Sequence, residues 1–203
     1  HHRSAAATNA RKEIESNNLT DSYNNYHHFL SVIFPSEELN ILDYNRVLKD
    51  LNAHSPAEII EKIKPHFDIS IPHDTFEKTA PTNRTEFAMY LNKKWYKLTL
   101  KKEKTAETIV DQLAVSILQN HILNPIFNIQ NPRTDSRIDF VGGIRGEKEL
   151  ELRCHTDAKC AFRLFPTTID ELIEIADNNE LMPPKSTWFE PKLRSGLITK
   201  PIT

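Results

Sequence analysis

The spacing of apolar residues divides the chain into interleaved helices and strands. Two alternating runs on either side of a polar turn make residues 85–101 the clearest β-hairpin. Apolar and β-branched runs predict further strands at residues 26–34, 39–44, 67–71, 137–143 and 159–165. Helical spacing or composition predicts helices at residues 4–15, 55–66, 106–123 and 167–179. This order of elements places the chain in the α/β class, or α+β with a mixed sheet.

Two local patterns refine this prediction. The run at residues 26–34 is aromatic, β-branched and closed by Pro35, so we expect a buried strand with residues 39–44 as its hairpin partner or neighbour. Ser55, followed by a proline and then by Glu58, has the spacing of a capping box and marks a helix start. We expect one α/β unit over residues 1–203, with the polar stretch 73–84 as its softest boundary.

Composition narrows the functional classes. The chain has 203 residues, 38% of them hydrophobic and 27% charged, which is typical of a soluble globular protein. A net charge of -2 provides no general basic surface, so DNA is an unlikely partner. No apolar run approaches the ~20 residues that span a bilayer. Cys154 and Cys160 fit neither a zinc pattern nor a disulfide framework, which favours reduced thiols and a cytoplasmic protein.

The segment from residue 182 to residue 200 is dense in specific chemistry. Two prolines stiffen the approach to Lys185, which offers a point cation, and Ser186 and Thr187 offer hydroxyls and backbone amides. Lys192 and Arg194 add two further cations, so the segment could bind phosphate. A plainer interpretation is a C-terminal clasp whose aromatic residues pack on the core while its cations face water. Composition favours the clasp, and both interpretations can hold together.

Other candidates carry weaker signals. The opening His-His-Arg, with His2 and Arg3 at a helix start, could bind an anion, although a purification tag would leave a similar trace. The glycines of residues 142–146 are more typical of a tight turn than of a phosphate loop. The nine histidines lack ligand spacing, so no metal ligand is predicted. Magnesium held by one acid and substrate phosphates leaves little trace in a sequence and stays open.

Three segments together resemble one known family. They are residues 122–143, 162–177 and 182–197, and they resemble the family of unknown function numbered ten-fifteen. That family is related to the free serine kinases and, more distantly, to ParB and sulfiredoxin. Its members carry an Asp-Gly-His-His-Arg motif, and the opening of this chain matches the end of that motif. The resemblance therefore implies the C-terminal part of a protein of about twice this length.

The resemblance also implies a fold and a reaction. The fold would be a ParB/sulfiredoxin-like nucleotide-binding core with a C-terminal α/β extension. The reaction would pass a phosphoryl group from ATP or ADP, with magnesium, to the hydroxyl of free serine or a similar small molecule. The implied catalytic residues are Lys185, Thr187 and Arg194, and the implied cofactor-binding residues are His2, Arg3, Ser186 and Lys192. The general base of such kinases belongs to the N-terminal part, so this chain alone is expected to be inactive.

Two rival functions remain open. One is a ParB-like regulator that binds nucleotide or DNA without turnover. The other is a degenerate domain that senses a nucleotide or mediates an interaction. The net charge of -2 and the lack of a helix-turn-helix pattern count against DNA binding. Nucleotide binding without turnover would favour the second rival.

Overall fold

The computed structural model describes residues 2–17, 25–33 and 35–192. The chain forms two compact units, one made of His1–Asn40 with Pro191–Thr203 and the other of Ile41–Glu190. In the first unit, helix α1 spans His2–Ser16, which confirms the helix predicted from its alanine-rich composition. An ion pair one turn apart, with 2.8 Å between Arg11 Nε and Glu15 Oε1, supports this exposed helix.

The buried strand predicted at residues 26–34 is wrong. Asn25–His27 forms a short 3₁₀ turn, and residues 28–33 are irregular and exposed, with Ile33 91% accessible. Residue 34 lies outside the described residues. The predicted partner at 39–44 divides instead into β1 (Asn40–Leu42) and the first residue of β2 (Tyr44–Leu48), which pair with other strands. An apolar run becomes a strand only when another strand completes its hydrogen bonds.

The second unit is built on a six-stranded sheet in the order β3-β5-β4-β7-β2-β6. Every neighbouring pair in this sheet is antiparallel. Its strands after β2 are β3 (Phe67–Ile69), β4 (Glu86–Leu91), β5 (Lys94–Leu100), β6 (Ile138–Gly142) and β7 (Cys160–Leu164). The short strand β8 (Trp188–Glu190) pairs with β1. The combination of helices and strands and the hairpin of β4 and β5 are both confirmed, whereas the expected mixed pairing is wrong for this sheet.

Two predicted helices begin as their sequences indicate. Helix α2 spans Pro56–Ile63, and Ser55 and Glu58 form the expected capping box. The later predicted helix also has a capping box, formed by Thr168 and Glu171. The main hydrophobic core includes Ile59, Phe87, Leu98, Phe162 and Ile175, all of them fully buried. The amphipathic faces of the helices therefore cover one face of the sheet.

The helix predicted over residues 106–123 is only partly formed. Helix α3 is limited to Ala114–Leu118, and Gln119–Leu123 continues it as a π-helical turn. Local side-chain bonds compete with the helix before that point, because Thr108 Oγ1 accepts from the Asp111 backbone N–H at 3.1 Å. Leu113 then has extended backbone angles. The helical spacing of apolar residues is therefore compatible with a bent segment as well as with a continuous helix.

A helix that the sequence analysis did not predict covers the other face of the sheet. This helix is α4, which spans Gly146–Thr156. The helix capped by Thr168 is α5, which follows β7 and spans Ile169–Asp177. Leu150 of α4 packs in a second buried cluster with Val47 and Trp95. Its sequence alternates charged and apolar residues without a clear apolar stripe, which is why periodicity missed it.

None of the helices in the described part of the chain is long and apolar enough to pass through a bilayer. Both cysteines are free: Cys160 is fully buried in the core and Cys154 is partly exposed.

Acid is expected to destabilise the protein through two neighbouring histidines. The rings of His66 and His121 lie 4.9 Å apart. Burial lowers the pKa of both, and Lys104 adds to this effect on each of them. The unfolded chain, with histidines near their ordinary value of 6.5, then binds more protons as the pH falls below that value. Stability should be full above this pH and should fall below it.

Urea unfolding between pH 5 and pH 8 would measure this dependence. Replacing both histidines with glutamine should flatten the curve below pH 6.5, and His54→Gln serves as the control. An equally steep curve in the double variant would contradict this origin of the acid sensitivity.

Candidate functional site

The first residues of β2 bring an aromatic ring and a cation to one face of the sheet. Tyr44 and Arg46 are two residues apart on the strand, so their side chains point the same way. In the neighbouring strand β6, Gly142 lies opposite Tyr44 and Phe140 lies opposite Arg46. The guanidinium carbon of Arg46 lies 5.3 Å from the centre of the Phe140 ring. This face therefore offers a positive charge beside an aromatic surface.

Arg46 is an unusual buried cation. Only 3% of it is exposed, and one terminal nitrogen donates to the Tyr44 carbonyl. Its Nε has no hydrogen-bond partner, and no carboxylate of the described residues forms an ion pair with it. Burial lowers the pKa of Arg46 to about 10. A buried charge without a counterion is costly, so its retention points to an anion that can offset the cost.

Lys185 is held above the same aromatic surface by a strained turn. Its φ is +56°, a left-handed conformation that lysine rarely adopts. The Ser186 hydroxyl donates to the Pro183 carbonyl at 2.7 Å, and the Thr167 hydroxyl donates to the Ser186 carbonyl at 3.2 Å. These bonds maintain the turn and present Lys185 to solvent. Strain kept in place by surrounding bonds is frequent at functional sites.

The side chain of Lys185 lies against Tyr44 and near the ring that Arg46 contacts. Its Nζ donates to the Tyr44 hydroxyl at 3.4 Å and lies 5.5 Å from the centre of the Tyr44 ring. It also lies 5.8 Å from the centre of the Phe140 ring, which Arg46 contacts as well. Within residues 35–192, neither cation has an acidic partner. Together they form an exposed and a buried positive charge beside one ring.

Trp188 fixes the segment that follows the turn. Its ring meets the Tyr44 ring edge-on, with 5.4 Å between the ring centres. A Cβ atom on Gly142 would lie 2.4 Å from the Trp188 ring, so this close approach requires glycine. The indole N–H donates to Glu190 at 2.7 Å. The packed aromatic residue expected of a clasp and the cation predicted to contact phosphate thus occur in the same segment.

A buried polar cluster on the other side of β2 sets the position of Tyr44. Asp43 is buried, and its carboxylate accepts from Asn45 at 2.6 Å and pairs with Arg163 Nε at 3.2 Å. The Asp43 carbonyl also accepts from the Gly143 N–H at 2.7 Å. This cluster joins the start of β2 to β7 and to the turn after β6. The Asp43 carboxylate is already paired, so it is not the counterion of Arg46.

The predicted site residues divide into three groups. Lys185, Ser186 and Thr187 lie in the turn before β8, and Lys185 is next to Tyr44 and Phe140. His2 and Arg3 belong to α1, but their side chains lie outside the described residues. Arg194 lies entirely outside them, and Lys192 is an exposed residue of the first unit. The roles assigned to all seven stay predictions.

Two site residues were missed by the sequence analysis. Tyr44 was treated as the last residue of a strand, and Arg46 was not considered. The sequence carried only a weak signal, because Asn45 and Arg46 are both polar within the strand Tyr44–Leu48, and only the structure shows that both are buried. Such a charge in a buried run indicates either a paired structural group or a ligand contact.

In the described ranges, no group of three or more histidine, cysteine, aspartate or glutamate side chains could hold a metal ion. The described residues therefore do not fit a magnesium ion held by the protein alone.

Comparisons with known proteins give a family and several distant structures. Residues 1–116 match the family model described as "Protein of unknown function (DUF1015)". No curated protein matches the chain.

The solved structures similar to this chain include those of a free serine kinase and of a conserved hypothetical protein. A free serine kinase in complex with AMP is 16% identical with a TM-score of 0.45, and the match covers 76% of this chain and 55% of that one. A mutant free serine kinase in complex with ADP is 18% identical with a TM-score of 0.45, covering 78% and 58%. A conserved hypothetical protein from Pyrococcus furiosus is 14% identical with a TM-score of 0.42, covering 75% and 56%. The chain thus spans little more than half the length of these proteins.

Proposed function

The chain belongs to the DUF1015 family of proteins of unknown function, and we propose that it binds the phosphate groups of a nucleotide through Lys185 and Arg46. One observation carries this proposal: the two cations lie beside the Phe140 ring, and the described residues supply neither with a carboxylate. The buried Arg46 has an unused N–H donor, which an oxyanion would satisfy.

The two cations suit complementary tasks. Lys185 is exposed and can meet an incoming phosphate as a mobile point charge. Arg46 is buried, so its charge acts in surroundings of low dielectric constant, where it attracts an anion more strongly than it would in water. The Tyr44 hydroxyl, which accepts from Lys185, can also donate to a phosphate oxygen. This combination favours a phosphate over a neutral ligand.

For the intact protein, we extend the proposal to phosphoryl transfer from a nucleotide to a hydroxyl of a small molecule such as free serine. The resemblance of residues 182–197 to the corresponding segment of free serine kinases supports this reaction. Phosphoryl transfer depends mainly on positioning and on neutralising charge, which Lys185 and Arg46 can supply. Thr187, Ser186 and Arg194 would add hydrogen bonds and charge at the phosphates.

The rest of the machinery lies outside the described site. His2 and Arg3 would contact nucleotide or substrate, and no described residue is assigned the role of general base. The resemblance also implies magnesium, but the described residues include no cluster that fits it. No step of the proposal therefore depends on that ion.

A thermal unfolding experiment tests the binding proposal directly. ADP or inorganic phosphate should raise the melting temperature of the chain, because a ligand that binds only the folded state stabilises it. Arg46→Met keeps an unbranched side chain of similar length and should abolish the shift while leaving the basal melting temperature equal or higher. Lys148→Ala, an exposed lysine on α4, is the control and should retain the full shift.

The reaction is tested separately on the intact protein. Incubation with L-serine, magnesium and ATP or ADP should yield phosphoserine, and Lys185→Ala should reduce the yield. Nucleotide binding without any product would support the rival interpretation of a degenerate domain that senses a nucleotide. A melting temperature unaffected by ADP and phosphate would refute the phosphate site itself.

A further inference from the structure

A second concave surface lies at the other end of β2 from the phosphate site. It is a groove of about 510 Å³ between the β4–β5 turn, the end of α4 and the residues that follow β2. The strand register explains its position, because Leu91 at the end of β4 lies opposite Cys160 at the start of β7. Leu48, at the end of β2, also lies opposite Cys160. Three strand ends therefore meet at this edge of the sheet.

The same register brings two lysines to the groove. Lys93 follows Leu91 by two residues in the β4–β5 turn, and Lys159 directly precedes Cys160. The backbone N–H of Lys159 donates to the Leu48 carbonyl at 2.7 Å, which ties its backbone to the end of β2. Lys93 has a φ of +62°, as expected in a two-residue hairpin turn. Both lysines are thus attached to well-ordered strand ends.

The charge of the groove is one-sided. Both lysines are exposed, and neither forms an ion pair with a carboxylate of the described residues. The neighbouring Lys94 differs, because it pairs with Asp74. Among the described residues, no acidic side chain lines the groove, and the Glu151 carboxylate of α4 accepts from the Trp95 indole N–H at 2.7 Å. The groove therefore attracts anions.

The remaining wall is apolar with one polar contact. Leu91 is buried, and Leu51 and Pro56 are half-buried along the groove. The Tyr90 hydroxyl lies 3.1 Å from His155 Nε2, so the Tyr90–His155 pair provides a polar group beside the lysines. Apolar walls with a few convergent polar groups are typical of small-molecule sites.

We infer that this groove binds a small organic anion carrying an apolar or aromatic group. The anionic group would lie between Lys93 and Lys159, and the apolar group would pack against the half-buried Leu51 and Pro56. Two cations without carboxylate partners, brought to one groove by the strand register, are the basis of this site. It is separate from the phosphate site at Lys185 and does not depend on the proposed function.

Phenyl phosphate is a suitable probe because it combines both features. Titrated into ¹⁵N-labelled chain, it should cause saturable shifts of the amide signals of Asn92, Lys93 and His155. Inorganic phosphate carries only the anionic group of the probe, and benzyl alcohol carries only its aromatic group. Each of them should therefore bind there more weakly. The double substitution Lys93→Gln with Lys159→Gln should weaken binding about ten-fold or more, as expected when charge-assisted bonds are lost.

Two controls make the experiment decisive. Lys94→Gln changes the adjacent lysine, which is already paired with Asp74, and should leave binding at the groove unchanged. Lys185→Ala should remove only shifts near Tyr44, so failure of the groove and failure of the phosphate site are distinguishable. Amide signals of the groove that do not move, or that respond equally to Lys94→Gln and to the double substitution, would overturn the inference.

Discussion

Replacing Lys185 with glycine is expected to weaken nucleotide binding strongly while leaving the fold at least as stable. Lys185→Gly removes the exposed cation, and a hydrogen bond to a charged group contributes about 1.5–3 kcal/mol, so affinity should fall ten-fold or more. The same change relieves the left-handed backbone of Lys185, whose φ is +56°. Glycine adopts that conformation freely, and the gain should reach up to about 1 kcal/mol.

The expected loss of affinity without a loss of stability distinguishes a nucleotide-binding site from a purely structural clasp. Calorimetric titration with ADP gives the affinity, and urea unfolding gives the free energy of unfolding. If the segment were only a structural clasp, Lys185→Gly would change stability and leave ADP affinity unaltered. Lys102→Gly, at another exposed lysine, is the control for affinity, and it should bind ADP as the parent chain does.

Replacing Gly143 with alanine is expected to destabilise the second unit. A Cβ atom at Gly143 would lie 2.0 Å from Asp43 Oδ1 and 2.9 Å from the Asp43 backbone carbonyl oxygen. The carboxylate cannot simply rotate away, because Asn45 and Arg163 hold it. Overpacking of this kind costs about 1–3 kcal/mol, and the loss of buried polar bonds adds to it.

Urea unfolding of Gly143→Ala measures this cost. Ile144→Ala changes the next residue, which is 61% exposed, and should stay within about 0.5 kcal/mol of the parent chain. Because Asp43 directly precedes Tyr44, the folded fraction of Gly143→Ala should also bind phosphate less well. An unfolding midpoint equal to that of the parent chain would show that the Asp43 cluster rearranges freely.

The elements that the sequence predicted correctly are those whose signals are local. The capping boxes at Ser55 and Thr168 need only four consecutive residues. The β4–β5 hairpin needs only two alternating runs and a short turn. Errors occurred where a partner decides the outcome: residues 28–33 have the composition of a strand but lack its hydrogen bonds in the described structure.

In the candidate site, too, some residues are indicated by their neighbours in the sequence, whereas others depend on strand pairing between distant parts of the chain. Lys185, Ser186 and Thr187 were selected from the sequence because prolines, a cation and hydroxyls occur together. Arg46 was not selected, since its importance depends on burial and on Phe140, which is 94 positions further along the chain and lies opposite it in the neighbouring strand. A strand register of this kind cannot be derived from spacing within one segment.

The sequence by itself therefore determined the α/β class, the capped helices and the hairpin, and it selected Lys185 as a candidate phosphate contact. Membership of the DUF1015 family agrees with the resemblance of the sequence. Only the tertiary structure decided that Lys185 lies beside Tyr44 and Phe140, with the buried Arg46 next to the same ring. The physical reason is that hydrogen-bond caps and alternation act over a few residues, whereas burial and the pairing of charges depend on strands far apart in the chain.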